Sequence, residues 1–247
     1  MKFSWETWSK LDGWFTLSEG KFLFDLASKI KGGGVILEIG SWKGKSTICL
    51  AKGANPEIKI CAIDPHVGSE EHQAAVPAGE RVWTFDEFKK NLAAFEVESR
   101  VTPLVDYSYN IGKTWNQPIE LLFIDGAHDE ASVAKDFEMF APHVISGGWI
   151  VMHDTTGTWQ PGLAGWKGPR VVADRQLFGS EQIGQMYVVD TITAGQRVDK
   201  LTPDHRRHKQ SLKAKKKRSD LLSIGINLAL KLPTPITNTI KRTLGRT

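Results

Sequence analysis

Short apolar runs that predict buried strands alternate with segments of helical periodicity along most of the 247 residues. The predicted strands cover residues 35–39, 58–63, 101–105, 119–124, 149–152 and 185–192. The predicted helices cover residues 45–51, 86–95, 130–140 and 169–178, and an earlier helix starts at Ser18 as its N-cap. Strands and helices that alternate at this spacing favour right-handed crossovers, and therefore a doubly wound, Rossmann-like α/β sheet.

The chain divides into an aromatic N-terminal arm (1–17), an α/β domain (18–200) and a basic, partly helical tail (201–247). We expect the arm, with Trp5, Trp8, Trp14 and Phe15, to pack onto its own domain or onto a dimer partner, with a substrate lid as the alternative. Assembly of the chain into a homo-oligomer is one of the alternatives that the sequence leaves open. The loop 155–169 contains Trp159 and Trp166 among four glycines, which suits either a lid with aromatic faces for a sugar ring or a packed surface loop.

Composition favours an intracellular protein. The two cysteines, Cys49 and Cys61, lie inside apolar runs, which indicates buried thiols in a reducing compartment. The N-terminus lacks the apolar core of a signal peptide, and no segment reaches the ~20 apolar residues of a membrane-spanning helix. We therefore expect a cytoplasmic location.

Two predicted buried strands end in acidic and histidine residues. The strand 119–124 is followed by Asp125 and His128, and the strand 149–152 is followed by His153 and Asp154. In an open parallel sheet, ligands bind outside the carboxyl ends of the strands. Two carboxylates and two imidazoles at that edge predict a site for a hard metal ion with a base beside it. The plainer alternatives are that Asp125 caps the next helix and that the site holds no metal.

A glycine loop joins the first strand to the next helix. It runs from Glu38 through Gly40 and Ser41 to Gly44 and Ser46. Its spacing is one residue short of a phosphate-binding loop and does not match the dinucleotide fingerprint, whereas S-adenosylmethionine (SAM), a cation without pyrophosphate, suits it. Asp64, at the end of the second strand, is the expected partner of ribose hydroxyls. A tight turn without a ligand is the plain alternative.

These residues resemble the class I SAM-dependent methyltransferases, and most of all the branch found in glycan and macrolide-sugar biosynthesis. The matching segments span roughly residues 18–190, and the most specific of them is the pair formed by Ile-Asp-Gly-Ala-His at 124–128 and His-Asp at 153–154. The others are Glu38–Ser41, Gly44–Thr47, Ala62–Asp64, Phe88 with Asn91, Tyr107–Ser108, Trp115, Pro118–Glu120, Asp136 and Gly147–Gly148.

The resemblance implies roles for individual residues. Glu38, Gly40 and Ser41 would line the methionine end of SAM, Asp64 would hold the ribose, and the segment from Asp106 to Ser108 would border the adenine. Asp125 and Asp154 would be Mg²⁺ ligands, and His128 would be the general base. His153 stands where some relatives have a second acid, so it joins the metal set as a nitrogen ligand. Gly44, Ser46 and Asp125 complete the cofactor-binding residues.

The tail carries most of the positive charge. Residues 205–247 have a balance of +11 and the remaining residues a balance of −7. A cationic run at 206–218 precedes an apolar helical pattern at 221–230, which predicts an anchor on an anionic membrane surface at the inner face of the cytoplasmic membrane. A partner-binding helix is the alternative. We expect no nucleic acid, because the tail has no interleaved aromatic residues.

We therefore expect a SAM-dependent, Mg²⁺-assisted O-methyltransferase that acts on a hydroxyl of a sugar or glycan, with a lipid-linked saccharide as an acceptor that would suit the tail. Two alternatives stay open at this point. One is an NAD-linked oxidoreductase on the same fold, and the other is a catalytically silent domain whose tail recruits partners to a membrane.

Overall fold

A seven-stranded sheet forms the centre of the molecule. The computed structural model describes residues 3–69, 73, 77, 80–156 and 166–230, with side chains in the last segment as far as Arg218. The strands are β1 (Val35–Ile39), β2 (Ile60–Ile63), β3 (Val101–Leu104), β4 (Ile119–Ile124), β5 (Val144–Met152), β6 (Ile183–Val189) and β7 (Ile192–Arg197). Their order is β3-β2-β1-β4-β5-β7-β6, with β7 antiparallel to both neighbours and the first five strands parallel. The predicted Rossmann-like architecture is confirmed.

Helices cover both faces of this sheet. The helices are α1 (Trp5–Ser9), α2 (Leu17–Ala27), α3 (Lys45–Gly53), α4 (Phe85–Ala94), α5 (Ser108–Ile111), α6 (Glu130–Phe140), α7 (Lys167–Ala173) and α8 (Pro203–Leu230), and a π-helical turn, Asp174–Phe178, extends α7. Alternate residues of each central strand point to opposite faces. As a result Ile36, Leu121 and Phe123 pack under α2 and α3, whereas Leu37, Leu122 and Ile124 pack under α6 and α7.

Several predicted boundaries differ from the structure: β5 begins at Val144 and not at 149, and β2 at Ile60 and not at 58. Two further differences have clear local reasons. The first long helix begins after Thr16 and not at Ser18, because Thr16 and Glu19 form a reciprocal capping box. The single predicted strand at 185–192 is a hairpin of β6 and β7, joined by a tight turn in which Asp190 has a φ of +47°. The turn lacks the Asn-Gly or Asp-Gly signature that usually marks a two-residue hairpin, so the sequence pattern did not reveal it.

The N-terminal arm packs onto its own domain. Trp8 is 1% exposed, and its indole nitrogen donates to the carbonyl of Lys45 at 2.9 Å. A Cβ on Gly20 would collide with the Trp8 ring, so the glycine lets α1 and α2 lie in contact. The amine of Lys45 donates in turn to the carbonyls of Leu11 (2.7 Å) and Gly13 (3.1 Å). The arm is thereby tied to the start of α3, beside the glycine loop.

The basic run after residue 203 is a helix docked on the sheet edge. α8 contacts β6, and Leu212 packs against the core. The buried amine of Lys209 donates to the carbonyls of Ser180 (2.6 Å) and Ile183 (3.1 Å), and that of Lys216 lies 2.9 Å from Asp174. Two of the eight cations predicted for a surface role at 206–218 are therefore internal. Residues 231–247, with the second half of the predicted anchor, lie outside the described residues.

None of the helices in the part of the chain that the structure describes is long and apolar enough to cross a membrane.

Candidate active site

A cavity of about 900 Å³ opens at the carboxyl ends of the parallel strands. This volume is near the upper end of small-molecule sites, ~300–1,000 Å³, so the cavity has room for more than one small ligand. Of the twelve residues predicted to bind cofactor or metal or to act as the base, nine line it: Gly40, Ser41, Ser46, Asp64, Ser108, Asp125, His128, His153 and Asp154. Three others, Glu38, Gly44 and Asp106, do not.

The glycine loop sets the floor of the cavity. Gly40 has a φ of +88°, and a Cβ there would collide with the carbonyl of Asp125. Glycine at this position therefore lets the end of β1 approach the end of β4, where the amide of Asp125 donates to the carbonyl of Ile39 at 2.8 Å. Gly44, at a φ of +87°, lies against Phe88 and opens α3.

Glu38 lies beneath this loop and away from the cavity. Its carboxyl group accepts hydrogen bonds from the hydroxyls of Ser46 and Thr47, both at 2.5 Å. Burial raises the pKa of Glu38 to about 8, and the nearby Asp125 and Asp64 add to the effect. Glu38 therefore joins β1 to α3 as a largely protonated acid, and its predicted place at the methionine end of SAM would be reached through Ser46, which lines the cavity.

The raised pKa of Glu38 predicts a pH-dependent stability. The folded chain binds more protons than the unfolded chain between pH ~4.5 and about 8, so stability falls as the pH rises through this window. Glu38→Gln removes the titration. We expect the melting temperature of the variant to change less between pH 5 and 8.5 than that of the wild type. At pH 8.5 its free energy of unfolding should exceed the wild-type value by an amount on the order of a few kcal/mol. An exposed control, Glu57→Gln, keeps the wild-type slope, and an equal slope in Glu38→Gln would refute this assignment.

Asp64 fixes two loops at the end of β2. Its carboxylate accepts hydrogen bonds from the amide of Trp42 and from the amide of His66, each at 2.6 Å. The buried ring of His66 contacts the hydroxyl of Thr84 at 2.9 Å. Asp64 thus lies on the cavity wall opposite the strand ends of β4 and β5, and its contact with a ribose stays a prediction.

Ser108 and Asp136 form a pair on the far wall. The Ser108 hydroxyl donates to Asp136 at 2.5 Å, and burial raises the pKa of Asp136 to about 6 in spite of that bond. Asp106 instead accepts from the amide of Tyr107 and the side chain of Asn110, which fixes the start of α5. The stacked rings of Tyr107 and Tyr109 also line this wall; Tyr107 lies in the segment expected to border the adenine, whereas Tyr109 was not predicted.

The predicted acid and histidine residues converge at the ends of β4 and β5. Nδ1 of His153 lies 2.9 Å from Asp125 and 3.6 Å from Asp154. Burial alone would lower the pKa of His153, but the carboxylates of Asp125, Asp154 and Glu19 hold it well above its ordinary value. The carboxylates around it therefore favour the protonated form of His153.

His128 reaches the same cluster from the other side. Its Nε2 lies 3.4 Å from Asp154, and its ring stacks on Trp166 at 4.5 Å with an interplanar angle of 2°. Burial would raise the pKa of Asp154, but hydrogen bonds from His128 and His153 hold it well below its usual range. The alternative in which Asp125 caps α6 is wrong, because Asp129 is the N-cap and accepts from the amide of Ser132.

Two residues of the site come from the N-terminal segment: Phe15, from the predicted aromatic arm, and Glu19, which the sequence analysis did not single out. Phe15 stacks on the His153 ring at 4.5 Å, and Glu19, which is 1% exposed, has a carboxylate oxygen 3.5 Å from Nε2 of His153. Only the Thr16–Glu19 capping-box pattern could have drawn attention to Glu19. In the substrate-lid region, Trp166 lines the cavity, whereas Trp159 lies outside the described residues.

Three residues of the cluster lie close enough together to hold a divalent cation. Ligand atoms of Asp125, His153 and Asp154 all lie within 4.8 Å of one another. Two carboxylates suit Mg²⁺ or Mn²⁺, and an imidazole is an acceptable third ligand, although hard cations prefer oxygen. A metal ion at Nδ1 of His153 would displace the proton that this atom shares with Asp125.

Comparison with known proteins gives consistent matches. Residues 37–155 match a family model described as a methyltransferase domain. An uncharacterised protein of Acanthamoeba polyphaga mimivirus, R132, is 32% identical over 127 residues, which cover 48% of this chain and 50% of that protein. The chain therefore spans about half the length of this curated relative.

Solved structures share the fold. The O-methyltransferase TomG of Streptomyces achromogenes, involved in tomaymycin synthesis and solved in complex with SAM, aligns with a TM-score of 0.55 and 21% identity over 78% of this chain and 85% of that one. The O-methyltransferase NovP aligns with a TM-score of 0.58 and 14% identity over 74% of this chain and 80% of that one. Identities this low establish a common fold alone.

Proposed function

We propose that the protein is a SAM-dependent O-methyltransferase, since residues 37–155 match the methyltransferase-domain family model. One observation carries the proposal: a single cavity joins the glycine loop and Asp64 to the His128–Asp154 pair. SAM would lie across the glycine loop, with its ribose at Asp64, its adenine toward Ser108 and its methionine end near Ser41. Its sulfonium would then face the ends of β4 and β5, as methyl transfer requires.

His128 is the proposed general base. An alcohol is a poor nucleophile, so its proton must leave as the oxygen attacks the methyl carbon. Nδ1 of His128 would accept this proton, while Nε2, which faces Asp154, would keep its own proton; Asp154 would hold the ring and stabilise the imidazolium. The new bond joins the acceptor oxygen to the methyl carbon while the bond from that carbon to sulfur breaks. The products are a methyl ether and S-adenosylhomocysteine.

Mg²⁺ is the proposed second cofactor. Asp125 and Asp154 would hold it with His153, and when bound it would supply positive charge beside the acceptor hydroxyls. The chain's own residues then orient the acceptor and exclude water. Phe15 and Trp166 cover the two histidines of the cluster, so that both imidazoles are shielded on one ring face.

We propose a sugar or glycan hydroxyl as the acceptor. Support comes from exposed aromatic faces at the cavity, Trp14 (58% exposed) and Trp166 (44% exposed), beside carboxylates that can accept bonds from vicinal hydroxyls. Incubation with methyl-labelled SAM and a set of free, nucleotide-linked and lipid-linked saccharides tests this. Label in a sugar methyl ether is the expected product. Label transfer to non-sugar alcohols alone would reject the sugar assignment but leave the methyltransferase.

We propose that α8 also holds the protein at an anionic membrane surface. Its inward lysines, Lys209 and Lys216, fix it to the domain, and six other cations at 206–218 are exposed: Arg206, Arg207, Lys213, Lys215, Lys217 and Arg218. A fixed array of this kind attracts anionic lipid with about 1 kcal/mol per cation close to the surface. A lipid-linked acceptor would bring its hydroxyl to the same surface.

Charge reversal of the outward lysines tests this proposal. In the triple variant Lys213→Glu, Lys215→Glu and Lys217→Glu, we expect binding to phosphatidylserine vesicles to fall at least tenfold while the melting temperature and SAM affinity stay unchanged. The matched control replaces Lys10, Lys29 and Lys52 by glutamate. These lysines are not part of α8, and they are not among the acid and histidine residues of the candidate active site. Equal vesicle binding by the wild type and the α8 variant would exclude α8 as the anchor.

A further inference from the structure

Glu19 has more contacts than a capping box needs. One carboxylate oxygen accepts from the amide of Thr16 at 2.9 Å, which completes the box. The other oxygen accepts from the amide of Thr191 at 2.9 Å and from its hydroxyl at 2.6 Å, and it lies 3.5 Å from Nε2 of His153. The second oxygen therefore joins α2, the β6–β7 turn and the candidate active site.

The burial of the Glu19 carboxylate is more than the capping of α2 requires. Its side chain is buried, and a buried carboxylate is unfavourable unless its environment compensates the charge. An N3 glutamate that only capped α2 could do so at the surface, exposed to water. Glu19 instead lines the cavity.

The geometry of His153 gives Glu19 a role. Nδ1 of His153 lies 2.9 Å from Asp125 and 3.6 Å from Asp154. Nε2 is buried and makes no hydrogen bond within the described residues, and a carboxylate oxygen of Glu19 lies 3.5 Å from it. A carboxylate on the outer nitrogen of an imidazole keeps the proton on that nitrogen and orients the ring, which leaves the inner nitrogen for a ligand. Phe15, from the same segment, holds the plane of the ring by stacking at 4.5 Å.

We propose that Glu19 is a positioning residue that keeps the proton on Nε2 of His153 and directs Nδ1 to the Asp125–Asp154 pair. Glu19 and Thr191 both lie outside residues 37–155, so the segments that flank the matched domain complete its centre. The proposal links docking of the N-terminal arm to the shape of the site. Its metal-binding consequence rests on the proposed function, whereas its effect on the His153 ring does not.

Two readouts test the proposal in the full-length chain. The first is the ¹H–¹⁵N spectrum of the histidine side chains, in which a protected Nε2–H signal of His153 is expected in the wild type. The second is the affinity for Mn²⁺, used as a spectroscopic stand-in for Mg²⁺. In Glu19→Gln, we expect the His153 signal to shift and to exchange faster with water, and Mn²⁺ affinity to fall about 10–100-fold, as is typical for loss of an outer-shell partner.

Thr16→Ala is the matched control. It removes the hydroxyl that accepts from the amide of Glu19, and so weakens the start of α2, but it leaves the carboxylate at His153. We expect a lower melting temperature with an unchanged His153 signal and unchanged Mn²⁺ affinity. If Glu19→Gln does not fold, Glu19→Asp withdraws the carboxylate from His153 by one methylene and is expected to give the same two changes.

The outcomes separate the two proposals. A wild-type His153 signal in Glu19→Gln, or an equal shift in Thr16→Ala, would overturn the assignment of Glu19. If the wild type binds no Mn²⁺, the metal part of the proposed function fails, and Glu19 is then judged on the His153 signal alone.

Discussion

Replacement of His128 by alanine is expected to lower kcat by about 10²–10⁴-fold, the usual contribution of a positioned general base. SAM affinity should stay at the wild-type value, because His128 pairs with Asp154 beyond the end of β5, whereas Asp64 and the glycine loop follow β2 and β1. The fold should be kept as well, since the ring is partly exposed and stacks on Trp166. Rapid-quench assay with labelled SAM measures kcat, and calorimetry measures SAM affinity.

Asp154→Asn should have an effect of the same kind. Its carboxylate lies 3.4 Å from Nε2 of His128 and would stabilise the imidazolium formed as the acceptor loses its proton. Residues that act as one unit are not additive, so the double variant His128→Ala with Asp154→Asn should be no slower than the slower single variant by more than a few-fold.

His143→Ala is the control for a histidine outside the site. His143 closes the 3₁₀ turn before β5, at the opposite end of that strand from His153. Its replacement should leave kcat unchanged. Full activity in His128→Ala, or fully multiplicative losses in the double variant, would contradict the assignment of a His128–Asp154 base.

Replacement of Asp125 by asparagine is expected to abolish the Mg²⁺ heat in calorimetry and to remove Mg²⁺-stimulated turnover. Asparagine has the same size but no charge, and the site then has one carboxylate, Asp154, beside the buried ring of His153. The affinity for the cation should fall by more than the ~10–100-fold typical of an outer-shell change, because a direct ligand is weakened.

Asp136→Asn serves as the matched control for this variant. Asp136 is also a buried acid on the cavity wall, but it pairs with Ser108 and lies outside the cluster at the ends of β4 and β5. It should keep the Mg²⁺ heat of the wild type. A Mg²⁺ heat that survives in Asp125→Asn would remove the metal from this cluster.

The central sheet was accessible from the sequence because buried parallel strands are short continuous apolar runs. β1 and β4 have the predicted bounds, and the acid and histidine residues that follow β4 and β5 come together as the rule for strand ends requires. The hairpin of β6 and β7 was missed, since the Asp190–Thr191 turn has no glycine to mark it. Local chemistry is visible in a sequence only when it follows a periodic pattern or a known turn.

The features that the sequence did not predict depend on contacts between distant segments of the chain. Glu19 lies 172 residues from Thr191, with which it shares two hydrogen bonds, and neither residue carries a local signal of this pairing. The sequence predicts Glu38 as a residue that lines SAM. In the structure its carboxyl group instead accepts hydrogen bonds from the hydroxyls of Ser46 and Thr47 in the first turn of α3. The sequence indicates a uniformly charged run in α8. In the structure Lys209 and Lys216 lie on the helix face that contacts the domain.

Calorimetric titration of the purified protein with SAM, and separately with NAD, tests the central claim most directly. We predict one SAM site of micromolar affinity, weakened at least tenfold by Asp64→Ala, which removes the carboxylate at the end of β2, and no heat with NAD. Absence of SAM binding, or binding of NAD in its place, would contradict the methyltransferase assignment and with it the roles proposed for His128 and Asp125.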